Sequence, residues 1–327
     1  MTNLSRRSVV AGGVGLGGAA LLGLRPEFAR AADFPTKPFT AIVDAAPGGG
    51  HDRFTRAITP EWTRITGQPI IPEFKPGAGG VLSATTIVNA PADGYTLGVI
   101  AVSSMNVSIA LGKPQGFGFG SFAYLGTMWN GPIAVFTGKD SKWESMTQVV
   151  EAAKTQKITA AVAALRAMYH ISGVIFDKRM GIETQFVPYN GGGPSRQAAM
   201  SGETDIVWTG LYDASANYDG LRCLCVFDKE NPIPDVIDAP TVYEMFPEQA
   251  LTLLHPTAYC VSAKVRDENP EVYQYLVDAY RETYTSEATQ KALIDLQFQP
   301  ASLKYTSPEE LSAIEADFIE QLKSIEI

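Results

Sequence analysis

Two glycine clusters constrain this chain more than any other feature. The first reads Ala46-Pro47-Gly48-Gly49-Gly50-His51-Asp52 and the second Tyr189-Asn190-Gly191-Gly192-Gly193-Pro194. Each follows an apolar, β-rich run and opens a segment of helical character. A strand–glycine–helix junction leaves unpaired backbone N–H groups at the positive end of a helix, and such an end takes anions. Two junctions facing each other across a cleft would clamp one anionic ligand, which is a receptor's geometry more than a catalyst's. Gly192 is expected to hold a loop conformation that a Cβ does not tolerate.

The chain of 327 residues is long enough for about two domains. Its first 31 residues read as an export signal. A charged start with Arg6-Arg7 precedes a short apolar run and a small-x-small cleavage site ending at Ala31. The arginine pair resembles a twin-arginine signal, although Val9-Val10 stands where that signal favours Phe-Leu. Six glycines interrupt the apolar run, which is poor for a membrane-spanning helix. The expected location is therefore the periplasm. The formal net charge is −9, and loss of the signal, with four arginines and one glutamate, makes the mature chain three charges more negative. That balance argues against nucleic acid as a partner. It also means that an anion must be held by local donors, since the global field repels it.

Strand-like runs at 39–45, 69–74, 95–101, 158–162, 184–187, 205–208, 221–227 and 252–261 alternate with helix-like segments. The helical segments are 52–66, 79–89, 147–154, 167–180, 194–201, 270–285, 286–296 and 308–324. The alternation indicates an α/β fold. No linker stands out, so two lobes joined by crossing strands are expected. Cys223 and Cys225 alternate along one strand and are expected to face one side. Buried hydrophobic roles for the cysteines and a Cys225–Cys260 bridge both remain open.

Catalytic and metal chemistry find little support. The three histidines, His51, His170 and His255, are far apart in the chain, and no Cys-x-x-Cys or His-x-x-x-His pair occurs. No Gly-x-Ser-x-Gly and no Walker loop is present. Arg53 stands where a dinucleotide fingerprint needs its third glycine. No enzyme activity, metal or cofactor is expected.

The mature chain resembles the solute-binding proteins of tripartite tricarboxylate transporters, the Bug receptors. The resemblance rests on Phe34-Pro35-Thr36-Lys37-Pro38, Ala46-Pro47-Gly48-Gly49 with Asp52 and Arg56, and Gly67-Gln68-Pro69. It continues through Lys75-Pro76-Gly77-Ala78-Gly79-Gly80, Pro91 to Leu97, Val187 to Gly192, and Gly202-Glu203-Thr204-Asp205. It implies a two-lobed, Venus-flytrap periplasmic binding protein. Lobe 1 would be 33–130 plus 252–327, and lobe 2 would be 131–251. A small carboxylate would sit between the glycine loops and pass to the membrane subunits of the transporter, the receptor acting as a monomer. A ligand-sensing receptor for a signalling partner is the alternative.

The candidate ligand contacts are Ala46, Gly48, Gly49, Gly50, His51 and Asp52 in the first loop. Ser103, Ser104 and Asn106 follow the strand at 95–101. Arg166, His170, Tyr189, Asn190, Gly191, Gly192 and Asp213 lie in the second lobe. Asp52 is equally suited to capping its own helix, His170 to a core position and Arg166 to the solvated surface. Departures from the family matter here. Ala45 replaces an aromatic residue, and Arg166 stands where small residues usually contact ligand. A family tryptophan is missing near Leu254-His255-Pro256. Arg166 therefore points to a second carboxylate on the ligand, with a longer or aromatic body fitting the space left by Ala45.

Overall fold

The computed structural model describes residues 34–325, apart from 46, 77–79, 113–115, 190, 216 and 217. The expected export signal and two candidate contacts, Ala46 and Asn190, lie outside the described residues.

In chain order the strands are β1 (Phe39–Val43), β2 (Ile70–Phe74), β3 (Thr96–Ala101), β4 (Phe122–Trp129) and β5 (Ile133–Gly138). They continue as β6 (Ile158–Val162), β7 (Thr184–Pro188), β8 (Ile206–Gly210), β9 (Leu221–Val226) and β10 (Thr257–Ser262). The helices are α1 (Gly50–Thr66), α2 (Val81–Val88), α3 (Val102–Ala110), α4 (Met146–Ala153), α5 (Met168–Met180) and α6 (Gly192–Met200). After them come α7 (Leu211–Ser215), α8 (Val242–Met245), α9 (Ala263–Glu268), α10 (Pro270–Thr285), α11 (Glu287–Asp295) and α12 (Pro308–Lys323).

The strands form two five-stranded sheets on one plan. The first has the order β2-β1-β3-β10-β4 and the second β7-β6-β8-β5-β9. In each, three strands run parallel and the fourth runs antiparallel to both its neighbours. Parallel strands need crossover connections, so helices flank the sheets and the carboxyl ends of β1, β2 and β3 feed α1, α2 and α3. The plan also shows that the two glycine clusters are not equivalent. The first follows β1, whose counterpart in the second sheet is β6. The second follows β7, the counterpart of β2.

Local sequence explains most elements. Phe54, Ile58 and Trp62 recur every four residues along α1 and are fully buried against the first sheet. Gly67 ends that helix in the left-handed conformation, its N–H donating to Thr63 O at 2.8 Å. Sequence analysis assigns no strand to 122–138, yet β4 and β5 lie there. Nearly every residue of both is buried, and burial on two faces erases the alternation that marks a strand.

One cysteine expectation is corrected and one open choice is decided: all three cysteines are buried and unbridged. Val135 pairs with Cys225 but Phe136 pairs with Cys223, so β9 bulges between its cysteines and turns them into different core clusters. Cys260 sits on β10 of the first sheet, and all three thiols are free.

The chain crosses between the sheets at 129–133 and returns at 253–257. The two crossings pair: Ile133 N–H donates to Leu253 O at 2.8 Å and His255 N–H to Gly131 O at 3.0 Å. This paired ribbon forms the floor between the two halves.

Candidate functional site

A cavity of about 520 Å³ opens between the two sheets' loops. Asp44, Ala45 and His51 line it from the β1–α1 junction, Gly80 from the start of α2, and Ala101 with Ser104 from the start of α3. Residues 164–167, the loop into α5, close it from the second sheet. The cavity thus sits at the carboxyl ends of parallel strands, where open α/β sheets bind ligands.

Four helices begin at its wall, and none is capped by a side chain. Their N-cap residues are Gly49, Gly80, Ala101 and Ala167, which have no side-chain acceptor to offer. The first-turn N–H groups of a helix have no partner within the helix. Here the sequence withholds the usual intramolecular one.

The first glycine loop is held from behind. Gly48 takes φ of 81°, a left-handed conformation that glycine adopts without strain. Its N–H donates to Asp52 Oδ2 at 2.7 Å, and Asp52 Oδ1 lies 2.6 Å from Arg56 Nε. Asp52 is buried and turned inward, so it braces the loop. His51 is fixed by Asp44, with Nδ1 to Oδ1 at 2.5 Å, and its ring leans on Trp129 with centroids 5.1 Å apart. Gly49 and Gly50 lead into the first turn of α1.

Arg166 lines the cavity in the left-handed region, with φ of 55°. Its backbone N–H donates to His170 Nδ1 at 3.2 Å, so this imidazole is an acceptor that ties the first turn of α5. Burial pushes the His170 pKa down, and the Arg166 charge adds to the effect. The His170 ring packs edge-on against Phe186 in a separate hollow and does not line the cavity.

The other candidates divide. Ser104 lines the cavity. Ser103 is buried and donates to Leu254 O at 3.0 Å, which anchors the return crossing. Asn106 is buried beside Glu315 of α12, and together with Tyr124 it restrains a carboxyl whose pKa burial raises. Tyr189 gives its hydroxyl to Glu203 at 2.9 Å. Gly191 N–H donates to Ala163 O at 3.2 Å, which sets the second glycine loop beside the cavity-lining segment 164–167. Gly191, with φ of 107°, is the residue that requires glycine. Gly192 opens α6 outside the left-handed region, so the expectation of a glycine-only backbone there is corrected.

A second, smaller cavity of about 210 Å³ lies beside the crossings. Gly50, Trp129, Tyr169, Asp213, His255 and Phe298 are among its lining residues. Tyr169 donates to Asp213 Oδ2 at 2.8 Å. Burial raises the Tyr169 pKa well above its usual value; Asp213 pushes the same way and Arg196 opposes. Burial lowers the His255 pKa, Asp213 and Asp44 pull it up, and His51 pushes it down. Gly210 leaves room for the Tyr169–Asp213 pair, because a Cβ there would stand 2.8 Å from Asp213 Oδ2.

Sequence reasoning missed Tyr169 and the aromatic wall of Trp129 and Phe298.

The family profile described as "Tripartite tricarboxylate transporter family receptor" matches residues 54–325. The chain belongs to this family. A Cupriavidus necator relative, the UPF0065 protein in the gbd 5′ region, is 23% identical over 327 residues, covering 98% of this chain and 95% of its own. A TctC solute-binding protein from Polaromonas superposes with a TM-score of 0.76 at 19% identity, over 89% of this chain and 100% of that one. MatC from Rhodopseudomonas palustris, solved with bound malate, gives 0.69 at 22% identity over 89% and 99%. The fold is that of the family's periplasmic binding proteins, and the family is one of receptors, not enzymes. Among the described residues no helix is long and apolar enough to cross a membrane.

Proposed function

We propose that this chain is a periplasmic receptor that captures a small organic di-acid and hands it to the membrane subunits of a tripartite transporter. The observation that carries the reading is the convergence of four uncapped helix starts on one cavity that Arg166 also lines. Partial positive charge from four first turns suits a carboxylate, and a guanidinium beside them suits a second one bidentately. The malate bound by MatC is such a di-acid. In this reading the halves 33–130 with 252–327 and 131–251 close over the ligand as two lobes, hinged at the paired crossings. The monomer is cleaved near Ala31 on export. Gly49, Gly50, His51, Ser104, Arg166 and Gly191 are the contacts we assign to the ligand.

Calorimetry tests this with a di-acid and the matching monoacid on wild type and Arg166→Ala. A charged hydrogen bond is worth about 1.5–3 kcal/mol, so the variant should bind the di-acid about ten- to a hundredfold more weakly and the monoacid unchanged. Equal losses for both would assign Arg166 to the fold and sink the di-acid assignment. In the native host, uptake of the bound acid should disappear with the gene and return with wild type.

A further inference from the structure

The loop at 164–167 is a wall between two hollows. On one side it lines the large cavity. On the other, Leu165 faces a surface hollow of about 700 Å³ that His170, Phe186, Lys157 and Glu183 also line. The wall is fixed at a strained point. Arg166 has φ of 55°, left-handed for a residue with a Cβ, and such a conformation persists where neighbouring groups hold it. His170 Nδ1 holds it, accepting the Arg166 N–H at 3.2 Å. A backbone N–H can only donate, so Nδ1 carries no proton and the imidazole is neutral.

Ala167 is the N-cap of α5 and His170 is its third helical residue. In a capping box that third residue is a glutamate or glutamine whose side chain reaches back to the backbone at the helix start. Glu244 and Glu310 do this elsewhere in the chain. At the cavity the same reach is made by a side chain that takes up a proton near neutral pH. Once it does, both ring nitrogens are donors, and His170 meets the Arg166 N–H with an N–H of its own. The new cation would also stand at the positive end of α5. Burial, and after it the Arg166 charge, lowers the His170 pKa from its ordinary 6.5. Lys157 and Glu183 are the charged residues lining the hollow, while α3, β7 and β8, which pack on α5, contain no ionisable side chain.

We propose that His170 is a positioning residue for the ligand: neutral, it holds Arg166 in place for the distal carboxylate, and protonated, it releases the loop and weakens the hold on the di-acid. The inference rests on the assignment of Arg166 made above and adds its regulation by pH. Di-acid affinity is then full at neutral pH and falls as pH drops through the lowered His170 pKa.

The test titrates succinate with butyrate, and adipate with hexanoate, into the purified mature protein by calorimetry between about pH 7.5 and pH 5. Each pair differs only in the distal carboxylate. His170→Asn offers an amide oxygen in place of Nδ1 and does not titrate, while His170→Phe keeps a ring and removes the acceptor. His51, His255 and the acids themselves are common to all three proteins, so ratios between proteins isolate His170. On acidification the wild type should lose roughly two- to tenfold more di-acid affinity than His170→Asn, the value of one neutral hydrogen bond. His170→Phe should bind the di-acid that much more weakly already at neutral pH, with the monoacid unchanged. Parallel pH profiles for wild type and His170→Asn would overturn the inference, and so would full di-acid affinity in His170→Phe. A second readout needs no ligand. In a nitrogen-15-labelled sample the Arg166 amide resonance should shift with a midpoint below pH 6.5 in wild type and stay fixed in His170→Asn. A fixed wild-type resonance would overturn the inference. No binding by either di-acid at neutral pH would instead sink the di-acid reading. The resonance then decides whether His170 holds Arg166, as it does if a variant fails to fold.

Discussion

The helices of this protein begin in two different ways, and the difference follows location. Around the large cavity, α1, α2, α3 and α5 start from Gly49, Gly80, Ala101 and Ala167 with no side-chain cap. Away from it, α4, α8, α11 and α12 start from Ser145, Thr241, Ser286 and Ser307, and each of these hydroxyls accepts a hydrogen bond from its own first turn. Thr241 with Glu244 and Ser307 with Glu310 form full capping boxes. The helices α6, α9 and α10 belong to neither set: α6 starts uncapped from Gly191 without lining the cavity, Ser262 and Asn269 use their side chains on Val88 O and Ala92 O, and α10 starts with Pro270. A cap is worth about 1 kcal/mol. Four helix starts forgo it in one place, which makes sense if a ligand supplies the acceptor when it binds.

The strongest way to break this comparison is to cap a cavity helix. Ala167 already has the extended conformation of an N-cap, with φ of −118° and ψ of 172°. Ala167→Asp should stabilise the protein by about 0.5–2 kcal/mol and weaken carboxylate binding roughly a hundredfold, because an internal carboxylate then occupies the donors and repels the ligand. Thermal melting and calorimetry on one preparation read both effects. Unchanged affinity would remove the α5 start from the site.

The opposite end of α5 sharpens the comparison by being tied down. Thr184 donates both its N–H, at 2.8 Å, and its hydroxyl to Asp177 Oδ2. Burial nevertheless raises the Asp177 pKa to about 6. The folded state therefore favours the protonated acid. The Asp177 contribution is most favourable below the unfolded pKa of about 4 and falls as pH rises to about 6. Two pKa units correspond to roughly 2 kcal/mol after allowance for relaxation. Asp177→Asn keeps an acceptor for Thr184 without the charge, so its stability advantage over wild type should grow from pH 4 to pH 6.5 and then level off. Denaturant midpoints across that range check it, and a constant difference would reject the assignment.

The smallest effect belongs to the far side. Ser307→Ala removes the α12 capping box and should cost about 1 kcal/mol of stability with no change in ligand affinity. A tenfold loss of binding from this variant would mean that α12 controls the cleft and that the two classes of helix start are not separate.

Much of this was legible in the sequence because it is local. The α/β alternation, the Gly67 stop of α1, the Ser307–Glu310 start of α12 and the anion-ready first glycine loop each depend on a few neighbouring residues. Even Arg166 was legible, as a cation at the mouth of a helix. The sequence could not show which loops would meet. The two glycine clusters look alike in the chain, yet the sheets place the first opposite residues 164–167, because β1 and β6 are counterparts and β7 is not. Only packing decided that Asp52 braces its loop, that His170 serves its own helix turn, and that Tyr189 and Asn106 face other partners. Hydrogen bonds to groups distant in the chain have no sequence period to announce them. The cavity beside the crossings is the extreme case. Trp129, Tyr169, Asp213, His255 and Phe298 come from five separate stretches, and the pairing of the two crossing segments helps bring them to one cavity.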